Sequence, residues 1–248
     1  MTTKVVPGQL VAVTTAEEVA KEASARIAKA LRNGIERYGA AAIALSGGNT
    51  PRAAYALLAK EQVDWTKVEV YWVDERACAP NDDRSNYRWA KETLIDGANI
   101  AAARVWRMPA DARDIDKAAK AYDALVHARV RESSDGWPAF DAMILGVGDD
   151  GHTASLFPGE AALGVTDRGV VAVPAKKAPS EREARLTLTI PIIERAAAIF
   201  VLATGAGKRA PLERAWAVEG DLRATPARAI RQGRGAITWI IDRAAGGV

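Results

Sequence analysis

Short apolar runs alternate along the chain with segments of helical periodicity, and this alternation restricts the fold more than any other feature. The apolar runs lie at 41–46, 68–75, 141–148, 169–175, 197–205 and 235–242. Several are apolar at nearly every position, as in strands covered on both faces. One of the intervening helical patterns follows Thr15, a residue suited to an N-cap, and another begins at Thr50. The pattern predicts an α/β fold with a mostly parallel sheet flanked by helices. Because no repeat or linker interrupts it, we expect one domain over residues 1–248.

Composition narrows the class of protein. The chain is 49% hydrophobic and carries a net charge of only +3, with basic and acidic residues interspersed, so we expect no nucleic-acid partner. Its one cysteine, Cys78, excludes an intrachain disulfide and fits a reducing compartment. The start, MTTKVVPGQL, lacks the apolar segment of a signal peptide, and no run has the length of a membrane span. We therefore expect a cytoplasmic protein with no membrane partner and no obligate protein partner.

Ligands of open α/β sheets bind beyond the carboxyl ends of the strands, so the residues that follow each apolar run are candidates for function. The first such segment is SGGNTP, residues 46–51. Two glycines permit a tight turn, and a helix start presents free N–H groups beside polar side chains, which suits a phosphate. A strand-to-helix turn with an N-cap and no ligand explains the same residues equally well.

The second segment is DERACAPNDDRSN, residues 74–86, where an apolar run becomes strongly polar. Asp74 and Arg76 stand at the strand end, where a carboxylate and a guanidinium would project into a crevice. A solvated loop with a local ion pair is the alternative interpretation.

The third segment, GVGDDGH at residues 146–152, has the glycine spacing of a dinucleotide-binding turn. That fingerprint should open a long helix, yet Pro158 and Gly159 follow within a turn or two, and Asp149 and Asp150 stand where a pyrophosphate would lie. The departures predict that no dinucleotide binds.

The same segment presents His152 beside Asp150. Histidine titrates near neutrality and suits general base chemistry, and a carboxylate within reach can fix its tautomer. A structural histidine that caps a turn remains an alternative. The chain has only two histidines and no metal-ligand spacing, so we predict no metal site.

Cations occur near two later strand segments. Arg182 and Arg185 precede an alternating Thr/Leu run, and Lys208 follows TGAG after another apolar run. The latter departs from a Walker A loop at Leu202 and Arg209, which argues against a nucleotide kinase or ATPase. A lysine at this position can still hold a phosphate as a point charge.

The segments LSGGNTPRAAY, YWVDERACAPNDDRSNY, LGVGDDGHTASLFPG, RLTLTIP and TGAGKR follow one another in this order. Together they resemble the glucosamine-6-phosphate isomerase/6-phosphogluconolactonase family over nearly the whole chain. The resemblance implies a Rossmann-like α/β sheet without a dinucleotide. It also implies hydrolysis of a sugar-phosphate lactone, 6-phosphogluconolactone, without metal or redox cofactor.

The resemblance also implies roles for individual residues. His152 would be the catalytic base, with Asp150, Asp74 and Arg76 lining the reacting end of the sugar. The sugar phosphate would be held by Ser46, Gly47, Gly48, Asn49, Thr50, Arg185 and Lys208.

Three other functions compete with lactone hydrolysis. The deaminase members of the family carry a glutamate shortly after their Asp-Gly-His motif for ring opening, but here the corresponding positions are Ser155 or Phe157, and no acid lies between His152 and Gly159. A non-catalytic sugar-phosphate sensor would need no base at position 152. An NAD(P)-dependent oxidoreductase would depend on the glycine spacing alone.

Overall fold

The centre of the molecule is a parallel sheet, as the apolar runs predict. The computed structural model describes residues 3–176 and 182–247. Within them, six parallel strands form the sheet: β1 (Gln9–Val13), β2 (Ala41–Leu45), β3 (Val68–Trp72), β5 (Ala142–Leu145), β8 (Ala198–Ala203) and β9 (Ala236–Asp242). Their order is β1-β9-β8-β5-β2-β3. Every residue of β2 and β5 is buried, so both faces of the sheet centre are covered.

Helices connect the strands and cover the sheet. They are α1 (Ala16–Tyr38), α2 (Asn49–Leu58), α3 (Asn86–Ala90), α4 (Ile115–Arg129), α5 (Ile190–Arg195), α6 (Arg209–Trp216) and α7 (Arg243–Gly246). A π-helical turn over Lys91–Ile95 extends α3. Short 3₁₀ turns cover Trp65–Lys67, Ala102–Arg104, Ala161–Gly164, Ala206–Lys208 and Pro226–Gln232. In the described ranges, no helix has the length and apolar character needed to cross a bilayer.

Helix α1 begins where the sequence predicts. The Thr15 hydroxyl accepts a hydrogen bond from the Glu18 N–H, and the Glu18 carboxylate accepts one from the Thr15 N–H. This reciprocal capping box satisfies two N–H groups that a helix start otherwise leaves without partners. The helix ends at Gly39, whose φ of +80° is readily adopted by glycine.

We expect Thr15→Ala to lower the free energy of unfolding by about 1 kcal/mol, since it removes the N-cap acceptor. Urea denaturation measures the change. Thr14→Ala is the matched control, because the described residues show no hydrogen bond to the Thr14 hydroxyl. Equal losses in the two variants would contradict the capping role.

A second, antiparallel sheet lies beside the first and differs from the prediction. It consists of β4 (Asp74–Arg76), β6 (Val170–Val173) and β7 (Arg185–Leu188), in the order β4-β7-β6. The apolar pattern predicts one strand over 68–75, but the chain changes sheets at Val73. The Val73 N–H donates to the Leu45 carbonyl of the parallel sheet, and the Val73 carbonyl accepts from the Leu188 N–H. Apolar patterning reports burial and not the hydrogen-bonding partner, so it cannot reveal this exchange.

Candidate active site

A cleft of about 480 Å³ lies at the carboxyl ends of β2, β5 and β8. Its size suits a small ligand. Residues at three strand ends line it, from 46–51, 146–154 and 202–208. The small antiparallel sheet adds Asp74, Arg76 and Arg185, and the start of α3 adds Asn86. The change of sheets at Val73 therefore brings charged side chains over the edge of the parallel sheet.

The loop after β2 presents the start of helix α2 to the cleft. Gly48 is the N-cap, with φ of +106°, and has no side chain to cap the helix. The first N–H groups of α2 are thereby left for an anion. The Thr50 hydroxyl lies 2.7 Å from the Thr204 hydroxyl, which ties this loop to the one after β8.

Asp74 is buried in the cleft wall and held from two sides. The Ser155 hydroxyl donates to Asp74 Oδ2 at 2.6 Å, and Asn86 Nδ2 donates to the Asp74 carbonyl at 2.9 Å and to Oδ1 at 3.3 Å. Asn86 in turn packs against Gly47, where an added Cβ would overlap Asn86 Oδ1. Asn86 thus fixes the distance between the carboxylate and the loop after β2.

Two arginines line the cleft beside Asp74. Arg76 and Arg185 are directly paired across β4 and β7, and Arg185 Nη1 lies 3.8 Å from Asp74 Oδ2. Burial lowers the pKa of Arg185, and the Asp74 charge opposes that effect. Among the described residues, neither Nε atom has a hydrogen-bond partner. Glu183 also lies 4.0 Å from Arg185, but it does not line the cleft. The charged groups that line this wall are two cations and one carboxylate, so the wall favours an anionic ligand.

His152 is oriented by its neighbour Asp150. Nδ1 lies 2.6 Å from Asp150 Oδ1, which also accepts the His152 N–H at 3.0 Å. Partial burial raises the pKa of Asp150, but the hydrogen bonds from His152 outweigh burial and lower it to about 2. A carboxylate near neutral pH only accepts, so Nδ1 must carry the proton and Nε2 is left as the basic nitrogen.

Two neighbours restrict the His152 ring. The Phe157 ring packs against it with centroids 4.6 Å apart. On another side, a Cβ added to Gly148 would overlap Nδ1 and Cε1 of the ring. Gly148, one of the glycines whose spacing matches a dinucleotide-binding turn, is therefore needed to leave space for the His152 ring.

Lys208 reaches the cleft from the loop after β8. Its Nζ lies 2.7 Å from Asp149 Oδ1. The backbone of this loop is held independently, because the Gly205 N–H donates to both carboxylate oxygens of Asp242 at 3.0 Å. The segment TGAGK does not match the Walker A pattern, but it places the Lys208 ammonium at the cleft.

Ten of the predicted site residues gather in this cleft, whereas Asp150 and the further candidate cation Arg182 do not line it. The cleft is lined by Ser46, Gly47, Gly48, Asn49, Thr50, Asp74, Arg76, His152, Arg185 and Lys208. Asp150 does not line the wall as expected; it contacts the side of His152 away from Nε2. Arg182 also lies off the cleft, with its guanidinium 3.9 Å from the Phe157 ring centre and paired with Glu160.

Sequence reasoning missed three residues of the site. Asn86 is the last residue of the polar run that begins at Asp74, and its place in that run could have marked it as a candidate. Ser155 and Thr204 had none, because each gains its role from a partner more than 80 positions away along the chain.

Known proteins resemble this chain over most of its length. The family model described as glucosamine-6-phosphate isomerases/6-phosphogluconolactonase matches residues 14–239. A 6-phosphogluconolactonase of Synechocystis is 40% identical over 221 residues, covering 89% of this chain and 88% of the relative. One of Rhizobium meliloti is 39% identical and covers 87% and 88%. The solved structure of 6-phosphogluconolactonase from Trypanosoma brucei superimposes with a TM-score of 0.87 at 26% identity, covering 97% and 98%.

The family match includes every residue that lines the cleft and all strands of both sheets except β1 and the last residues of β9. The resemblance predicted from the motifs is therefore confirmed, and the chain belongs to the glucosamine-6-phosphate isomerase/6-phosphogluconolactonase family.

Proposed function

We propose that this protein hydrolyses 6-phospho-D-glucono-1,5-lactone to 6-phospho-D-gluconate, the second step of the oxidative pentose phosphate pathway. The relatives reported above are 6-phosphogluconolactonases. The observation that carries the proposal is the pairing of His152 with Asp150 in a cleft that also contains Lys208 and two guanidinium groups.

The phosphate of the substrate binds to the loop after β2, at Ser46, Gly47, Gly48, Asn49 and Thr50. Its charge is met by the N–H groups at the start of α2 and by Lys208 and Arg185. Holding this end converts remote binding energy into orientation of the lactone at the other end, which Asp74 and Arg76 line.

His152 acts as the general base through Nε2. It takes a proton from water as the water oxygen attacks the lactone carbonyl carbon. Negative charge develops on the carbonyl oxygen and is stabilised by Arg76. When the bond between the carbonyl carbon and the ring oxygen breaks, the protonated His152 returns the proton to that oxygen. Asp150 acts as a positioning residue that keeps the proton on Nδ1 and stabilises the charged ring.

Ring-opening deamination is the nearest alternative, and the residues do not favour it. Ser155 donates to Asp74, and the Phe157 ring packs against His152, so neither candidate position for the deaminase glutamate supplies a carboxyl group. Asp74 and Asp149 are the acids that line the cleft in the described part of the chain. Lactone hydrolysis requires no further acid.

A nicotinamide-dependent reaction has no support beyond the glycine spacing. Residues 146–161 are all described, and the chain after Gly151 makes a turn and a bridge between Thr153 and Leu156 where the fingerprint would open a helix.

We extend the proposal to the whole chain. Residues 1–248 act as one domain, which the single apolar core shared by both sheets supports. The mechanism uses no metal or redox cofactor. The one cysteine, Cys78, is a free thiol and fits a reducing, cytoplasmic compartment.

The phosphate role is tested with Lys208→Ala and Arg185→Ala. Each removes a charged partner, so we expect KM for the phosphorylated lactone to rise by roughly 10- to 100-fold. Rates on unphosphorylated glucono-1,5-lactone should change little. Initial rates of acid release measure both, after subtraction of spontaneous hydrolysis.

Lys60→Ala, an exposed lysine away from the cleft, is the control and should leave both substrates unaffected. Equal losses on the two lactones in the site variants would contradict phosphate binding by these cations. A wild-type protein that binds 6-phosphogluconate but leaves hydrolysis at its spontaneous rate would show that the fold serves as a sensor.

A further inference from the structure

Lys208, proposed above to bind the substrate phosphate, is paired with a carboxylate of its own chain. Its Nζ is 2.7 Å from Asp149 Oδ1, and both residues line the cleft. A phosphate that contacts the Lys208 ammonium must therefore displace the Asp149 carboxylate or share the ammonium with it.

The two sides of this ion pair are held very differently. The Asp149 backbone is anchored, since its carbonyl accepts a 2.7 Å hydrogen bond from Arg214 Nη2. Its side chain is 84% exposed, whereas that of Lys208 is 31% exposed. Ion pairs this exposed contribute little to stability, so the carboxylate can rotate into water at small cost.

Lys208 does not need Asp149 to stay at the cleft. It belongs to the 3₁₀ turn Ala206–Lys208, and its N–H donates to the Gly205 carbonyl at 3.0 Å. Gly205 is in turn held by Asp242. Since the lysine backbone is fixed from the other side, the Asp149 carboxylate competes with a ligand for the ammonium and does not position it.

We propose that Asp149 and the substrate phosphate exchange places on Lys208, and that Asp149 thereby weakens the binding of phosphorylated substrate and product. The inference rests on the proposed function through the phosphate role of Lys208. A phosphate bears up to two negative charges and outcompetes one carboxylate. The anchored backbone keeps Asp149 near the bound phosphate, where like charges repel and favour release of the product.

Asp149→Asn tests the exchange, because it removes the charge and keeps the size. We expect KM for the phosphorylated lactone, and the Kd values of 6-phosphogluconate and inorganic phosphate, to fall by roughly two- to fivefold, the range that one exposed ion pair supplies. The gain should shrink as salt is raised. Hydrolysis of unphosphorylated glucono-1,5-lactone should be unchanged. Asp167→Asn is the control, an exposed acid paired with Arg168 away from the cleft.

A double-mutant cycle separates the ion pair from net charge. In the Lys208→Ala background, Asp149→Asn should no longer tighten 6-phosphogluconate, as measured by titration calorimetry. Unchanged or weaker binding in the single variant would overturn the proposal, and so would an equal gain without Lys208. The calorimetric gain is independent of turnover, so its presence in a protein that fails to hydrolyse the lactone would reject the proposed function and keep the exchange.

Discussion

Replacing His152 by alanine should lower kcat for 6-phosphogluconolactone by about 100-fold or more, the contribution of a positioned general base. The variant removes the imidazole that is proposed to accept the proton from water. Because the cations of the cleft are untouched, binding of 6-phosphogluconate should change little. The measurement is the initial rate corrected for spontaneous hydrolysis, together with product binding by calorimetry.

The chain contains its own control for this experiment. His127, the other histidine, lies on α4, with Nε2 3.8 Å from Asp123 and outside the cleft. His127→Ala should retain turnover. Near-normal turnover in His152→Ala would remove His152 from the mechanism and transfer the base role to another group, with Asp74 and Asp149 as the candidates that line the cleft.

The second large effect is expected from Gly148→Ala, which removes none of the proposed catalytic groups. The added Cβ would overlap Nδ1 and Cε1 of His152, so the ring must turn away. That movement breaks the hydrogen bond to Asp150 and displaces Nε2 from its position in the cleft. We expect kcat to fall by about 100-fold, close to the loss of the base itself, with KM nearly unchanged. Overpacking also lowers the free energy of unfolding by about 1–3 kcal/mol.

Two comparisons distinguish misplacement of the ring from general damage. Gly164→Ala adds the same methyl group where nothing lies within 4 Å, and should leave turnover intact. In the His152→Ala background, Gly148→Ala should cost almost nothing further, because no ring remains to displace. A full additional loss in the double variant would show that Gly148 acts through the fold and not through His152.

Much of the site was predictable from local patterns. His152 was a candidate because a histidine beside a carboxylate follows a strand, and Asp74 because a polar run begins where another strand ends. The start of α1 was predicted because Thr15 is a suitable N-cap residue, and its hydroxyl accepts a hydrogen bond from the N–H of Glu18, only three residues away. The division of residues 68–75 between two sheets was not predictable, since it depends on which strand accepts each N–H group.

By itself, the sequence determined the parallel α/β framework, the three strand-end motifs and the placement of His152 next to a carboxylate at a strand end. These depend on periodicity and on the order of neighbouring residues, which the chain encodes directly. Only the tertiary structure decided which groups meet. Asp74 is held by Ser155, 81 positions away, and Lys208 is paired with Asp149, 59 positions away. It also placed the Asp150 carboxylate within hydrogen-bonding distance of His152 Nδ1. Separation along a chain does not set distance in space, so these pairings depend on how the sheets pack and on where each side chain points after the backbone is in place.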